Sequence, residues 1–224
     1  MSDHFCTICN GSEFNSAYAG RLGRNGKPPM CAKCGSVERH RIIFNMYKQM
    51  PQITNNADVL QFAPDCSIQK SSFKSYTGSV YGGENSMDIK DTKLESGSFD
   101  FVISNHVFEH IDDDIAALKE CLRLVGDSGV VHICVPTPAY TAQTVDWGYP
   151  DKTKAYHYRN YDADFGVHFC KQVRELNGLI VVGEDTISET SDLILLLSKN
   201  VGTLQKISVL LEKTEFMCIP LFTC

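Results

Sequence analysis

The feature that most restricts this chain is a pair of cysteine doublets near its start. Cys6-Thr-Ile-Cys9 and Cys31-Ala-Lys-Cys34 stand with 21 residues between them. A two-residue gap lets both thiolates of a doublet turn toward one ion, and two doublets complete a tetrahedral shell of four sulfurs, the donor set of structural Zn2+. Asn10-Gly11 and Gly35-Ser36 follow the doublets, where the chain must turn tightly. The competing reading is a set of buried free thiols, and His4 or His40 could each replace one thiolate. A closed shell of Cys6, Cys9, Cys31 and Cys34 leaves no open position for Lewis-acid catalysis, so the expected metal is structural. Cys66, Cys121, Cys134, Cys170, Cys218 and Cys224 lack paired spacing and read as small core hydrophobes.

A disulfide framework is not expected. The opening residues, Met-Ser-Asp-His-Phe-Cys, lack the basic and apolar regions of a signal peptide. No apolar run approaches the ~20 residues that span a bilayer, so no membrane partner is expected and the compartment should be the cytoplasm. A formal net charge of -6 argues against general affinity for nucleic-acid backbones. Arg21, Arg24, Lys27, Lys33, Arg39 and Arg41 nonetheless concentrate basic charge in the first fifth of the chain.

Behind the doublets the pattern alternates. Ser36 is placed to cap a helix running to about Met50, with Pro51 marking its end. Residues 58–62 form an apolar strand, followed by a short helix through Lys74 and a strand within 76–81. A further strand lies within 98–105. Asp112, Asp113 and Asp114 suit a helix N-terminus, and Ile115, Leu118, Leu122 and Val125 then recur at helical spacing. Residues 130–136 read as a buried strand, 164–176 as a helix closed by Asn177-Gly178, and 179–182 and 193–198 as strands. In the tail, Ile207, Val209, Leu210 and Leu211 suit a helix, and 216–222 is apolar. At 224 residues this predicts one doubly wound, mostly parallel α/β sheet with a small N-terminal appendage. The expected organisation is a zinc knuckle and linking helix over 1–50, the α/β domain over 51–200 and an extension over 201–224. Ligands of such sheets sit at the carboxyl ends of the strands, so residues near 62–65, 84–89, 104–110 and 136–138 should share one crevice.

The run Leu94-Glu-Ser-Gly-Ser-Phe-Asp-Phe-Val-Ile-Ser-Asn-His-Val-Phe-Glu-His-Ile-Asp-Asp-Asp114 resembles the fourth-strand region of type 11 class I methyltransferases. Val59-Leu-Gln-Phe-Ala-Pro-Asp65 is similar to the first-strand loop of a branch in which Ala-Pro replaces the usual glycines. Cys31-Ala-Lys-Cys-Gly-Ser-Val-Glu-Arg-His-Arg41 resembles the zinc knuckle of that branch, and His157-Tyr-Arg-Asn-Tyr-Asp-Ala-Asp-Phe165 a segment entering the helix after its fifth strand. The resemblance spans roughly residues 6 to 200 and implies a Rossmann-like fold that binds S-adenosylmethionine. Phe62, Ala63, Pro64 and Asp65 would then hold the methionine part, Asp88 and Ile89 the adenine, and Asn105, His106 and Val107 would line the cofactor. No GxGxxG occurs, and Glu84 is the nearest match to the ribose carboxylate.

Methyl transfer is a displacement at a sulfonium methyl, for which a protein chiefly supplies alignment and a dry pocket. His110, His157 and Tyr161 are the candidate catalytic groups, because a near-neutral imidazole can act as general base for a hydroxyl acceptor. Glu109 and Arg159 flank them. Trp147 and Tyr149 sit in a Gly-Pro loop that reads either as a lid or as loop packing. The acceptor expected is a small molecule or sugar. Two other readings compete: a zinc knuckle that docks nucleic acid or protein through Arg39 and Arg41, and a methyltransferase fold without turnover that serves as scaffold or sensor.

Overall fold

In the computed structural model, residues 4–136 and 141–221 are described. The N-terminal unit is held by a short antiparallel pair, β1 (Phe14–Asn15) with β2 (Met30–Cys31). There follow α1 (Glu38–Lys48), a single turn α2 (Pro51–Thr54), β3 (Asp58–Phe62), β4 (Ser75–Ser79), β5 (Phe101–Asn105), α3 (Asp114–Val125) and β6 (Val130–Cys134). The remainder is a hairpin of β7 (Val145–Asp151) and β8 (His157–Asn160), then α4 (Phe165–Gln172), β9 (Asn177–Glu184), β10 (Ser191–Ser198), α5 (Val201–Leu211) and β11 (Met217–Leu221).

The main sheet runs β11-β9-β10-β6-β5-β3-β4. β4, β3, β5 and β6 are parallel neighbours, whereas β10 is antiparallel to both β6 and β9, and β11 to β9. The sheet is therefore mixed: parallel on the β4 side, where the crossovers lie, and antiparallel on the other, where a short connection joins β9 to β10 and α5 returns the chain to β11 beside β9. β5 and β6 are buried along their whole length, as parallel strands covered on both faces must be. Alternation divides their side chains. Val59, Phe101, Ile103 and Val130 pack with Ile43, Met46 and Tyr47 of α1 and Leu204, Ile207 and Leu211 of α5. Leu60, Phe62, Val102 and Val131 pack on the other face with Leu118, Leu122, Phe165 and Phe169 of α3 and α4. The segment after 200 thus supplies a core helix and an edge strand of the same sheet.

Several local expectations are corrected. Ser36 does not cap α1; its hydroxyl lies 3.3 Å from Cys6 Sγ and 3.2 Å from Cys34 Sγ, and the Val37 N–H is taken by His40 Nδ1 instead. Pro51 opens α2, where a missing N–H costs nothing. The helix expected before Lys74 is only a 3-10 turn over Lys70–Ser72, because two serines and a twelve-residue connection leave little room for one. α4 stops at Gln172, where β-branched Val173 turns extended, and Asn177-Gly178 begins β9. Trp147 and Tyr149 lie in the β7–β8 hairpin: the indole N–H donates to the His157 carbonyl and Lys154 stacks 3.9 Å from the ring centroid. No helix among the described residues is long and apolar enough to cross a membrane.

Candidate functional site

The two cysteine doublets occupy matching turns. The Cys6 N–H donates to Gly11 C=O and the Asn10 N–H to Cys6 C=O; the Cys31 N–H donates to Ser36 C=O and the Gly35 N–H to Cys31 C=O. Asn10 (φ 58°) and Gly35 (φ 71°) both take the left-handed conformation this reversal needs. The four sulfurs lie within 4.8 Å of one another, with Cys6–Cys34 at 3.7 Å and Cys9–Cys31 at 3.5 Å. Zn–S bonds of ~2.3 Å in a tetrahedron set sulfurs about 3.8 Å apart, so the cluster fits Zn2+. A Cβ at Gly11 would stand 3.1 Å from Cys31 Sγ, which is why the backbone there must be bare. His40 is turned away from the sulfurs, toward Asp65.

The cluster is fastened to the sheet by Arg41. Its guanidinium is 1% exposed; Nε and Nη2 donate to the two oxygens of Asp185 at 2.7 and 2.8 Å, Nη1 to Ser36 C=O, and Nη2 also to Pro29 C=O. Arg21 pairs with Glu38, and Lys33 donates to Cys9 C=O. Arg41 is thus a buried structural cation and contributes nothing to a docking surface.

The second feature is a cleft of about 340 Å³ at the carboxyl ends of β3, β4 and β5. The chain leaves β3 for β4 on one side and returns to β5 on the other, a topological switch point at which the strand ends diverge. Both central strands finish in a left-handed non-glycine residue, Ala63 (φ 49°) and His106 (φ 53°), a costly conformation that accumulates at ligand sites. Phe62, Ala63, Ser79, Tyr81, Met87, Asp88, Ile89, Lys90, Val107, His110, Ile111, Asp112 and Tyr158 form the walls. Lys90 and Asp112 close one rim with a 2.7 Å ion pair.

Of the residues expected at the cofactor, Phe62, Ala63, Asp88, Ile89 and Val107 line this cleft. Asp88 also accepts the Lys90 N–H, so it shapes its own turn. Pro64 instead packs over Gly78, and Asp65 points inward. Burial would raise the Asp65 carboxyl, but bonds from Ser67, the neighbouring His40 and a bond from Asn105 outweigh it and hold it ionised below its usual range. Asn105 is spent on Asp65 and Ser67. The structure does not bring Glu84 to the cleft: it lies in an exposed turn after β4, so the carboxylates offered there are Asp88 and Asp112. Residues 137 and 138 lie outside the described residues. Met87 falls in the expected stretch 84–89, whereas Ser79, Tyr81, Lys90, Ile111, Asp112 and Tyr158 were not legible as lining residues. Most adjoin named positions, but Tyr158 arrives on a hairpin whose pairing no local pattern announces.

His110 borders the cleft and stacks edge-to-face with His157 at 4.7 Å. Burial lowers both imidazoles, with a bond to the Tyr156 backbone opposing it at His110 and the charge of His110 adding to it at His157. Beside them Glu109 is 1% exposed, and burial pushes its carboxyl up to about 8. His106 is pushed down to about 3 by burial and by the Arg39 and His40 charges. Tyr161 is placed elsewhere, 3% exposed among Phe165 and Phe169, its hydroxyl donating to Asp114 at 2.6 Å. Arg159 is likewise structural: it donates to the carbonyls of Phe108, Ile111 and Asp112 and so fastens β8 to the turn after β5.

Residues 34–133, which span α1 to β6, match the type 11 methyltransferase family, described as a methyltransferase domain. No curated protein matches significantly. Among solved structures, a SAM-dependent methyltransferase of Thermotoga maritima, titled a possible histamine N-methyltransferase, is 13% identical, with 72% of this chain and 91% of that chain covered and a TM-score of 0.46. A putative methyltransferase of Bacillus halodurans is 10% identical over 69% and 96%, with a TM-score of 0.45. The trans-methyltransferase CalH in complex with SAH is 15% identical over 70% and 54%, with a TM-score of 0.40. Over that segment, 100 of the 224 residues, the chain is similar to the type 11 methyltransferase domain, and β3, β4, β5 and every cleft wall except Tyr158 lie within it.

Proposed function

We propose that the chain is an S-adenosylmethionine-dependent methyltransferase acting on a small-molecule or sugar acceptor in the cytoplasm. The observation that carries this is the cleft itself. It sits at the switch point, and its walls come from the family-matched segment apart from Tyr158. When bound, the cofactor supplies an electrophilic sulfonium methyl. Met87, Ile89, Val107 and Ile111 offer apolar walls for a flat purine, and Asp88 and Asp112 offer acceptors for hydroxyl or amino groups. The turn at Ala63 exposes backbone to a ligand at the end of β3. His110, whose imidazole burial makes less basic, stands beside the β7–β8 hairpin where an acceptor hydroxyl would lose its proton. The zinc cluster is distant in role: it stabilises the N-terminal unit.

The absence of Glu84 from the cleft favours one second reading, a fold that binds the cofactor without turnover. Calorimetric titration of zinc-replete protein with S-adenosylmethionine and S-adenosylhomocysteine, repeated on Asp88→Ala, tests both. Micromolar binding that weakens in the variant supports the cofactor cleft, and an acceptor panel then separates enzyme from sensor. Folded protein that binds neither ligand overturns the proposal.

A further inference from the structure

We propose that Glu109, His110 and His157 form a second metal site, for a divalent transition ion, on the acceptor side of the cleft. One ligand atom from each lies within 4.8 Å of the others. Bonds of ~2.1 Å in a tetrahedral set place ligand atoms about 3.4 Å apart, so side-chain shifts of up to about 1.4 Å would let the trio hold an ion.

The second observation is Glu109 itself. It is almost wholly buried, and neither carboxylate oxygen has a hydrogen-bond partner. Its neighbours are imidazoles at separations too long for hydrogen bonds: His106 Nδ1 at 3.6 Å and His110 Nε2 at 3.9 Å from Oε1. His106 Nε2 is also buried without a partner. A buried carboxyl group left without a partner is expensive, and a cation shared with His110 and His157 would satisfy it.

The surroundings are those of a supported site. The His110 and His157 rings stack edge-to-face at 4.7 Å, which holds the two imidazoles against each other. Arg159 locks the two contributing segments together through the Phe108 and Ile111 carbonyls. Two imidazoles and one carboxylate suit Zn2+, Fe2+, Co2+ or Ni2+ better than Mg2+ or Ca2+. Three protein ligands leave open positions, unlike the closed cysteine shell. Because His110 also lines the cleft, those positions would face an acceptor oxygen; with the ion bound, His110 serves as a ligand in place of the base role, and the ion orients the oxygen and eases loss of its proton to water. That consequence rests on the methyltransferase reading; ion binding does not.

The test uses the full chain, dialysed until one equivalent of zinc remains on the cysteines, and titrates Co2+ by calorimetry and visible absorption. The expected result is one further equivalent, with weak d–d bands and no thiolate charge-transfer band. Glu109→Gln and the half-exposed His157→Ala should each weaken it roughly 100-fold or more, beyond the 10–100-fold that outer-shell partners are worth. Zinc content should stay at one equivalent, which reports that the variants remain folded. Overturning results are no saturable second equivalent in the wild type, charge-transfer bands alone, or unchanged affinity in both variants. Titration of the same protein with S-adenosylhomocysteine separately reports the cofactor cleft.

Discussion

Replacing Arg41 by leucine should be among the most damaging single changes in this protein. The side chain makes five buried hydrogen bonds, two to Asp185, two to Ser36 through its carbonyl and hydroxyl, and one to Pro29 C=O. Removing one partner of a buried ion pair costs about 3–5 kcal/mol, and orphaned carbonyls add to that. Asp185 is not left bare, since it keeps the Ser188 N–H at 3.0 Å and the Ser188 hydroxyl at 2.7 Å, which softens the loss. A loss of about 4 kcal/mol follows, or roughly 8–16 °C in Tm for a chain of this size. Urea unfolding and differential scanning calorimetry of zinc-loaded protein read it directly. Arg41→Leu combined with Asp185→Leu should lose less than the sum of the single variants, because no charge is then stranded. Zinc should also leave Arg41→Leu faster under chelator, since Ser36 bridges the guanidinium and two of the sulfurs. A loss under about 1 kcal/mol for Arg41→Leu would refute this account of how the zinc unit is anchored.

Two further outcomes are expected. Removing zinc with a strong chelator, or by Cys9→Ser, should unfold the residues before α1 while the sheet keeps its far-UV signature; an unchanged protease-cleavage pattern before residue 38 would contradict this. His132 is wholly buried, its Nδ1 paired with the Tyr47 hydroxyl at 2.9 Å, and burial pushes it down to about 3. The unfolded imidazole takes a proton near pH 6.5, so between those values the unfolded state binds more protons. The stabilisation is complete above pH 6.5 and falls as pH drops, by up to about 1.4 kcal/mol per pH unit for this group. Urea midpoints from pH 7 to 5 should decline in the wild type and less steeply in His132→Gln; equal slopes would exclude His132 as the source.

Much of the architecture was legible because it is written in near neighbours. The doublets need only an i, i+3 spacing and a turn, so Cys6, Cys9, Cys31 and Cys34 announced their cluster before any fold was known. The parallel strands were equally plain, since Val59 to Phe62, Phe101 to Asn105 and Val130 to Cys134 are short apolar runs buried on both faces. Asp88, Ile89, Phe62, Ala63 and Val107 were reached because strand ends and a family resemblance coincide there.

What stayed hidden depends on partners far along the chain. Arg41 reads as surface charge until Asp185, 144 residues away, receives it. Tyr161 looks catalytic and Arg159 a flanking group in a line of letters, yet the folded chain turns one toward Asp114 and the other onto backbone carbonyls. The antiparallel order of β9, β10 and β11 follows from which edge of the sheet was still open. By itself the sequence determined most of the elements and the four-cysteine cluster, whose physics is local spacing. The tertiary structure alone decided which polar side chains find partners and which, like Glu109, are buried without them, because burial is a property of the whole packed chain.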